Sequence, residues 1–111
     1  MTNNIQFSSV CGIDIAKSVM QVYRVTSDGV VSNKAVKRAD FLNEFRNTPP
    51  ALIGMEACGG SQHWARELQS LGHTVRLMPP KLVKPYVTGL KNDKNDARGI
   101  YTALELSLIH I

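Results

Sequence analysis

The sequence predicts an α/β domain in which helices cover a mixed β-sheet. The first third contains three short strand-like segments, and the turn signal Ser27-Asp28-Gly29 joins the last two. From Phe41 onward, segments with helical spacing of apolar residues alternate with short apolar strands. Alternation of strand and helix implies parallel crossovers, so the predicted order is β-β-β-α-β-α-β followed by C-terminal helices.

The first three strands are predicted over residues 10–16, 20–25 and 30–36. Alternating apolar residues indicate the second strand, and Lys17-Ser18 forms the turn before it. Three consecutive strands joined by tight turns indicate an antiparallel meander, in which we place Asp14 on the central strand.

Helical spacing then places Phe41, Leu42 and Phe45 on one face, with Asp40 as the N-cap. A fourth strand is predicted over 51–56 and a fifth over 74–78. Between them, Ser61 is the expected N-cap of a helix that carries Trp64 into the core. The last segments are a short helix over 81–87, broken at Pro85, and a helix from about Asp93.

The length of the chain favours a single domain, and its positive charge favours a polyanionic partner. The chain has 111 residues, a formal charge of +4 and a pI near 9.3. No apolar run approaches the ~20 residues of a membrane helix, and the N-terminus does not resemble a signal peptide. Cys11 and Cys58 lack metal-type spacing, so we expect buried, reduced thiols in a cytoplasmic protein without a membrane partner.

Four acidic residues form the candidate site. Asp14 interrupts an apolar strand, where a charge is costly unless it is paired, and Glu56 ends another strand. Asp93 and Asp96 are three residues apart and share a helical face. Carboxylates suit Mg²⁺ or Mn²⁺, and a pair of ions supports phosphodiester chemistry, so we predict two divalent ions acting on nucleic-acid phosphates.

Structural interpretations of the same residues stay open. Asp93 and Asp96 could be first-turn acids favoured by the helix dipole, and Glu56 could simply start a loop. Basic residues surround the last two acids and are predicted to contact phosphates, although a solvated surface would look the same. They are Lys81, Lys84, Lys91, Lys94 and Arg98.

Three segments of the chain together resemble the DEDD transposases of bacterial insertion sequences, in the family numbered one hundred and ten. The segments are Cys-Gly-Ile-Asp-Ile-Ala-Lys at 11–17, Ile-Gly-Met-Glu-Ala-Cys-Gly-Gly-Ser at 53–61 followed by Trp64, and Lys-Asn-Asp-Lys-Asn-Asp-Ala at 91–97. The last is the most specific. The similarity covers most of residues 9–100.

The resemblance implies an RNase H-like, RuvC-like fold whose DEDD tetrad would be Asp14, Glu56, Asp93 and Asp96. It also implies action on DNA during transposition, a structured guide RNA, homo-oligomers of the full-length protein, and a C-terminal domain with a serine nucleophile. We expect the 111 residues to lack that domain. We therefore expect a disordered N-terminus at 1–8, an incomplete catalytic domain at 9–105 and an atypical, foreign tail at 106–111, together inactive alone.

Other functions fit parts of the pattern. A Holliday-junction resolvase of the same fold would use the same chemistry. An actin-like or sugar-kinase ATP-binding fragment also begins with a Gly-Ile-Asp strand, but it needs a glycine-rich phosphate loop that Ala16-Lys17-Ser18 lacks. A non-catalytic nucleic-acid binder would use only the basic residues.

Overall fold

The computed structural model describes residues 7–87 and 93–109, with side chains for 7–86 and 96–107. The strands are β1 (Ser9–Ile15), β2 (Val19–Thr26), β3 (Val31–Lys37), β4 (Leu52–Glu56) and β5 (Thr74–Met78). The helices are α1 (Phe41–Arg46), preceded by a 3-10 turn at Arg38–Asp40, α2 (Ser61–Ser70), α3 (Pro80–Val87) and α4 (Asp93–Ile109). The predicted α/β order is therefore confirmed.

The five strands form one mixed sheet in the order β3-β2-β1-β4-β5. The first three strands pair antiparallel, as the meander predicted, whereas β4 pairs parallel with both β1 and β5. The placement of Asp14 on the central strand of the meander is wrong, because β2 occupies that position. Strand β1 is instead central to the whole sheet, since the crossover through α1 adds β4 to its other edge.

The hairpin between β2 and β3 turns where the sequence predicts. Gly29 has φ +88°, a conformation that glycine adopts without a Cβ penalty. The Thr26 N–H donates to the Val30 carbonyl at 2.9 Å, which closes the turn. This turn sets the register that pairs Val25 with Val31 and Val19 with Lys37.

One face of the sheet, the α1–α2 face, carries an apolar and aromatic core. Phe41 and Phe45 are fully buried and meet edge to face, with centroids 5.4 Å apart. Trp64 contacts Phe41 in the same geometry and is 8% exposed, which confirms its predicted core position. The strands contribute Cys11, Ile13, Met20, Val22, Val36, Ile53 and Met55.

The other face, the α3–α4 face, has a smaller core. Val10 and Leu52 from the strands pack with Ile100 and Leu104 of α4. Val83 of α3 and Met78 complete the cluster. Helix α4 therefore lies across the central strands of the sheet, which positions the residues near its start.

Some local expectations are wrong. Helix α3 continues through Pro85 to Val87, because one proline removes a single backbone donor and α3 packs along α4. Gly60, not Ser61, is the N-cap of α2. The Ser61 hydroxyl instead donates to the Cys58 carbonyl at 2.9 Å and accepts the Cys58 N–H at 3.0 Å. Cys58 itself is exposed, although Cys11 is buried as expected, and both thiols are free.

The first and last described residues belong to the folded domain. Of the expected disordered segment, residues 1–6 lie outside the described residues, while the Ser8 N–H donates to the Pro50 carbonyl at 2.8 Å. At the other end α4 runs past residue 105, and the origin of 106–111 stays a prediction. Among the described residues, no helix has both the length and the apolar character needed to cross a membrane.

Candidate metal centre

The site depends on a close approach between α4 and β1 at Gly12. A Cβ built on Gly12 would lie 2.3 Å from the Tyr101 backbone nitrogen and 2.4 Å from the Ala97 carbonyl oxygen. Only glycine permits this contact, because backbone atoms cannot move aside as a flexible side chain can. Gly12 therefore brings the backbone of α4 directly onto the central strand.

Asp14 and Glu56 lie side by side on this face of the sheet. The parallel register pairs Gly12 with Gly54 and Ile13 with Met55, so the next residues, Asp14 and Glu56, stand at the same level. Neighbouring strands are about 4.8 Å apart, and residues two positions beyond the glycines share their face. Both acids are half-buried. The sheet thus brings together the two strand carboxylates that the sequence predicted as partners.

The direction of α4 brings its acids toward the same edge. Val10 packs in the cluster with Ile100 and Leu104, whereas Gly12 contacts Ala97 and Tyr101. Moving along β1 toward Asp14 therefore means moving along α4 toward its N-terminal end. Asp96, which is half-buried, directly precedes Ala97, and Asp93 begins the helix.

The carboxylates share an edge without forming a closed ligand set. Among the side chains that the structure describes, no three His, Cys, Asp or Glu groups converge closely enough to hold a metal ion. The side chain of Asp93 lies outside the described residues. The structure therefore describes the side chains of three of the four predicted ligands, Asp14, Glu56 and Asp96. The all-oxygen donor set suits a hard divalent cation, although the described side chains of Asp14, Glu56 and Asp96 do not converge on one ion position in this structure.

Gln21 is a polar residue at this site that the sequence reasoning missed. It pairs with Asp14 across the antiparallel β1–β2 ladder and is only 6% exposed. Its Nε2 donates to Asn33 Oδ1 at 2.9 Å, which fixes the amide within the sheet face. The signal was present, because a lone glutamine between the buried Met20 and Val22 must point to the opposite face from theirs.

Two groups near β1 have raised pKa values for the same physical reason. Burial, followed by the neighbouring Glu105, raises the pKa of Tyr101 to about 12, and its ring packs 5.0 Å from that of Tyr23. Burial also raises the pKa of the Cys11 thiol, on the opposite face, against the lowering effect of Arg24. Both groups are therefore protonated at neutral pH.

The structure describes the side chains of three of the five predicted basic residues. Lys81 and Lys84 are exposed on α3, which begins directly after β5 at the same sheet edge, and Arg98 is exposed on α4. Lys91 and the side chain of Lys94 lie outside the described residues. The described members leave their charges accessible to a polyanion.

Comparison with known proteins gives similarity to transposases over most of the chain. Over 93 residues it is 52% identical to a Pseudomonas aeruginosa protein named "Probable family 20 transposase", covering 83% of this chain and 28% of that protein. Over 95 residues it is 40% identical to the transposase for insertion sequence element IS1111A of Coxiella burnetii, covering 85% and 26%. Over 103 residues it is 31% identical to the IS1328 transposase of Yersinia enterocolitica, covering 92% and 31%.

These proteins are several times longer than the chain. The chain spans about a quarter to a third of the length of the relatives that it matches. No protein-family model matches it. Each of these relatives carries the name transposase, so the likeness points to one functional class.

Proposed function

We propose that the chain is a metal-binding, DNA-processing part of an insertion-sequence transposase. The similarity to named transposases over 83% or more of the chain carries this proposal. Insertion-sequence transposases cleave and rejoin DNA, so the substrate is the phosphodiester backbone. The remaining length of the relatives leaves room for the guide RNA contacts, the second domain and the oligomer that the resemblance implies. We therefore expect the chain alone to bind metal and DNA without completing strand transfer.

The fold assignment within this proposal is RNase H-like, of the RuvC-like kind. Its support is the sheet order β3-β2-β1-β4-β5, in which an antiparallel meander continues into parallel strands. That order places the first strand at the centre, with the parallel β4 beside it. The resemblance implies an RNase H-like, RuvC-like fold with a DEDD tetrad, and this sheet order is compatible with it.

The metal ligands in this proposal are Asp14, Glu56, Asp93 and Asp96. Asp14 and Glu56 stand level on neighbouring strands, and Asp96 lies beside the contact between α4 and Gly12. Carboxylates that share one sheet edge repel one another, and a bound divalent cation would remove that repulsion. Bound Mg²⁺ or Mn²⁺, as two ions, would supply an activated nucleophile and stabilise the leaving oxygen.

The chain's own residues supply binding and orientation. Gly12 fixes the distance between β1 and α4, and the Gln21–Asn33 hydrogen bond holds the polar row beside Asp14 in place. Lys81, Lys84 and Arg98 would contact the DNA backbone, together with Lys91 and Lys94. Phosphate contacts of this kind position the DNA but carry no sequence information.

The ATP-binding alternative is not favoured. The turn between β1 and β2 is Ala16-Lys17-Ser18, without the glycines that a phosphate loop needs for close backbone approach. The reported relatives are transposases rather than kinases. A junction-resolving nuclease would share the metal chemistry, so it differs from the proposal in its DNA substrate.

Calorimetric titration of Mn²⁺ into the chain and its Asp14→Asn variant tests the metal site. The parent is expected to bind Mn²⁺, and the variant is expected to bind at least about tenfold more weakly, because it loses a charged ligand. Asp28→Asn, in the exposed β2–β3 hairpin, removes the same charge away from the site and should keep the parent affinity. Circular dichroism confirms that each protein is folded.

The opposite results would count against the site. If Asp14→Asn binds Mn²⁺ as tightly as the parent, the tetrad assignment is wrong. If Asp28→Asn weakens binding equally, the effect is one of net charge and not of coordination.

A further inference from the structure

A second basic group lies at the same sheet edge, on the opposite side of Asp14 from α3. Lys17 is in the β1–β2 turn, Lys37 ends β3, and Arg38 begins the 3-10 turn. All three are exposed, and we call them the β3-side cluster. Antiparallel pairing brings the end of β1, the start of β2 and the end of β3 together, so the cluster flanks the carboxyl end of the central strand.

Arg38 is held in a fixed position. Its Nη1 donates to the Ala16 carbonyl at 2.9 Å, and its Cζ lies 5.1 Å from the centroid of the Trp64 ring. Its backbone N–H donates to the Ser18 carbonyl at 2.8 Å. A guanidinium fixed by a carbonyl and an aromatic face loses less conformational entropy on meeting a phosphate than a free one does.

The charges of the β3-side cluster are not neutralised by described side chains. Lys34, on the other face of β3, forms an ion pair with Glu44 at 2.6 Å. No such ion pair forms at Lys17, Lys37 or Arg38 within the described part of the chain. Asp40 is the acid nearest in sequence to Lys37 and Arg38, and Asp14 is the acid nearest to Lys17. Three basic residues against these two acids leave a positive balance at this corner.

The surface beside these charges is open. Lys37 and Arg38 line a groove together with Ser18, Val19 and Ala39, whose side chains are small or short. Small side chains let a polymer backbone come close to the sheet edge. The groove wall is mostly apolar, so attraction for a polyanion comes from the charges of Lys37 and Arg38.

The separation of the two basic groups indicates the size of the ligand. Lys37 and Arg38 lie at the β3 end of the five-stranded edge, and the α3 lysines, Lys81 and Lys84, follow β5 at the other end. Lys17 lies between them, beside the central strand. Four strand spacings amount to about 19 Å. At about 3.4 Å per base pair, a duplex lying along this edge would span it with roughly five to six base pairs. A single nucleotide could not contact both groups.

We propose that the β3-side cluster binds the backbone of duplex DNA on the far side of the metal site from α3. This inference rests on the proposed function in taking DNA as the substrate. It adds a second point of attachment, so that the duplex crosses the carboxylates at the sheet edge. Two attachment points fix the direction of the duplex across the site, which one basic helix would leave free.

Binding of a labelled DNA duplex to the 111-residue chain, measured by fluorescence anisotropy at several salt concentrations, tests the inference. Lys17→Ala combined with Lys37→Ala removes two charges without touching the contacts of Arg38. Each lost phosphate contact lowers the slope of log affinity against log salt by about 0.9, so we expect a decrease of about 1.8. At about 0.1 M salt, affinity should fall about tenfold or more.

The matched control is Lys34→Ala combined with Arg46→Ala. It removes the same charge from exposed residues on the α1–α2 side of the sheet, and it should keep the parent slope. Arg38→Lys keeps the charge but loses the fixed guanidinium over Trp64, so it should weaken binding with a smaller change in slope. Thermal unfolding confirms that every variant is folded.

Each contrary outcome overturns the inference in a recognisable way. If the Lys17/Lys37 variant keeps the parent slope while Lys81→Ala combined with Lys84→Ala lowers it, the β3-side cluster is not a DNA contact and the proposed function stands. If the control loses as much affinity, the effect is one of net charge alone. If the parent binds structured RNA but no duplex DNA, the duplex assignment is wrong. A parent that binds neither DNA nor Mn²⁺ overturns the proposed function as well.

Discussion

The two faces of the sheet carry different kinds of residue. The α1–α2 face is filled by large apolar and aromatic side chains, and Phe41 makes edge-to-face contacts with both Phe45 and Trp64. The α3–α4 face carries Gly12 and Gly54 where the other face carries Ile13 and Met55. It also holds the half-buried acids and Gln21.

This contrast separates the face that supplies most of the apolar burial from the face that carries the proposed metal site. Large side chains on one face exclude water and supply most of the apolar burial. Glycines on the other face give up that burial and let the backbone of α4 approach the sheet. Stability and site geometry therefore become separable properties of the two faces, and substitutions on each should affect one more than the other.

The largest expected effect comes from the apolar face. Phe45→Ala should lower the free energy of unfolding by about 3–5 kcal/mol, because a fully buried ring is removed and leaves a cavity. Urea denaturation measures the loss, and Phe45→Leu should lose less. The affinity of the folded fraction for Mn²⁺ should match that of the parent. A large drop in that affinity would mean that the two faces are not independent.

The next effect comes from the glycine face and changes both properties. Gly12→Ala should destabilise the protein by about 1–3 kcal/mol, because the new methyl group meets the backbone of α4 and forces the helix outward. Since α4 carries Asp93 and Asp96, affinity for Mn²⁺ should also fall in calorimetry.

Substitutions at two other glycines serve as controls for Gly12→Ala. Gly54→Ala meets Leu104 Cδ2 at 3.0 Å and Leu104 Cβ at 3.3 Å. A small shift of Leu104 relieves these contacts, so the cost should be smaller than at Gly12. Gly59→Ala meets no atom within 4 Å and should leave Mn²⁺ affinity unchanged. Equal losses of affinity at Gly12 and Gly59 would contradict the close-approach argument.

The smallest effect should appear only at high pH. The pKa of Tyr101 is raised to about 12 in the folded protein, so its stabilising effect is complete below pH 10 and is lost as the pH rises toward 12. Tyr101→Phe should therefore flatten the alkaline decline in unfolding free energy, by less than about 1 kcal/mol because the residue is partly solvated. Tyr86→Phe, at an exposed site, is the control and should keep the parent's decline.

Local pattern predicted the elements of the fold well. The apolar period indicated the helix around Phe41 and Phe45, the Ser27-Asp28-Gly29 signal indicated the hairpin, and both appear where expected. Trp64 was predicted in the core because it shares a helical face with Leu68, and both are buried. Such features follow from residues close together in the chain, whose pattern is readable without the tertiary structure.

The sequence predictions were wrong where contacts with distant parts of the chain decide the position of a residue. Cys58 was expected to be buried, but the loop after β4 exposes it. Helix α3 runs through Pro85 because packing against α4 offsets one missing hydrogen bond. Gln21 was overlooked, since the strand pattern alone did not reveal which strand would lie beside it.

Local sequence pattern was enough to predict the order of strands and helices and to propose four candidate acids, Asp14, Glu56, Asp93 and Asp96, because periodicity and residue chemistry are local properties. Only the tertiary structure decided that β1 is central, that Asp14 and Glu56 stand level, and that Gly12 receives the backbone of α4. It also decided that Arg38 lies over Trp64. These facts depend on contacts between residues far apart in the chain, which pairing and packing establish together when the sheet forms.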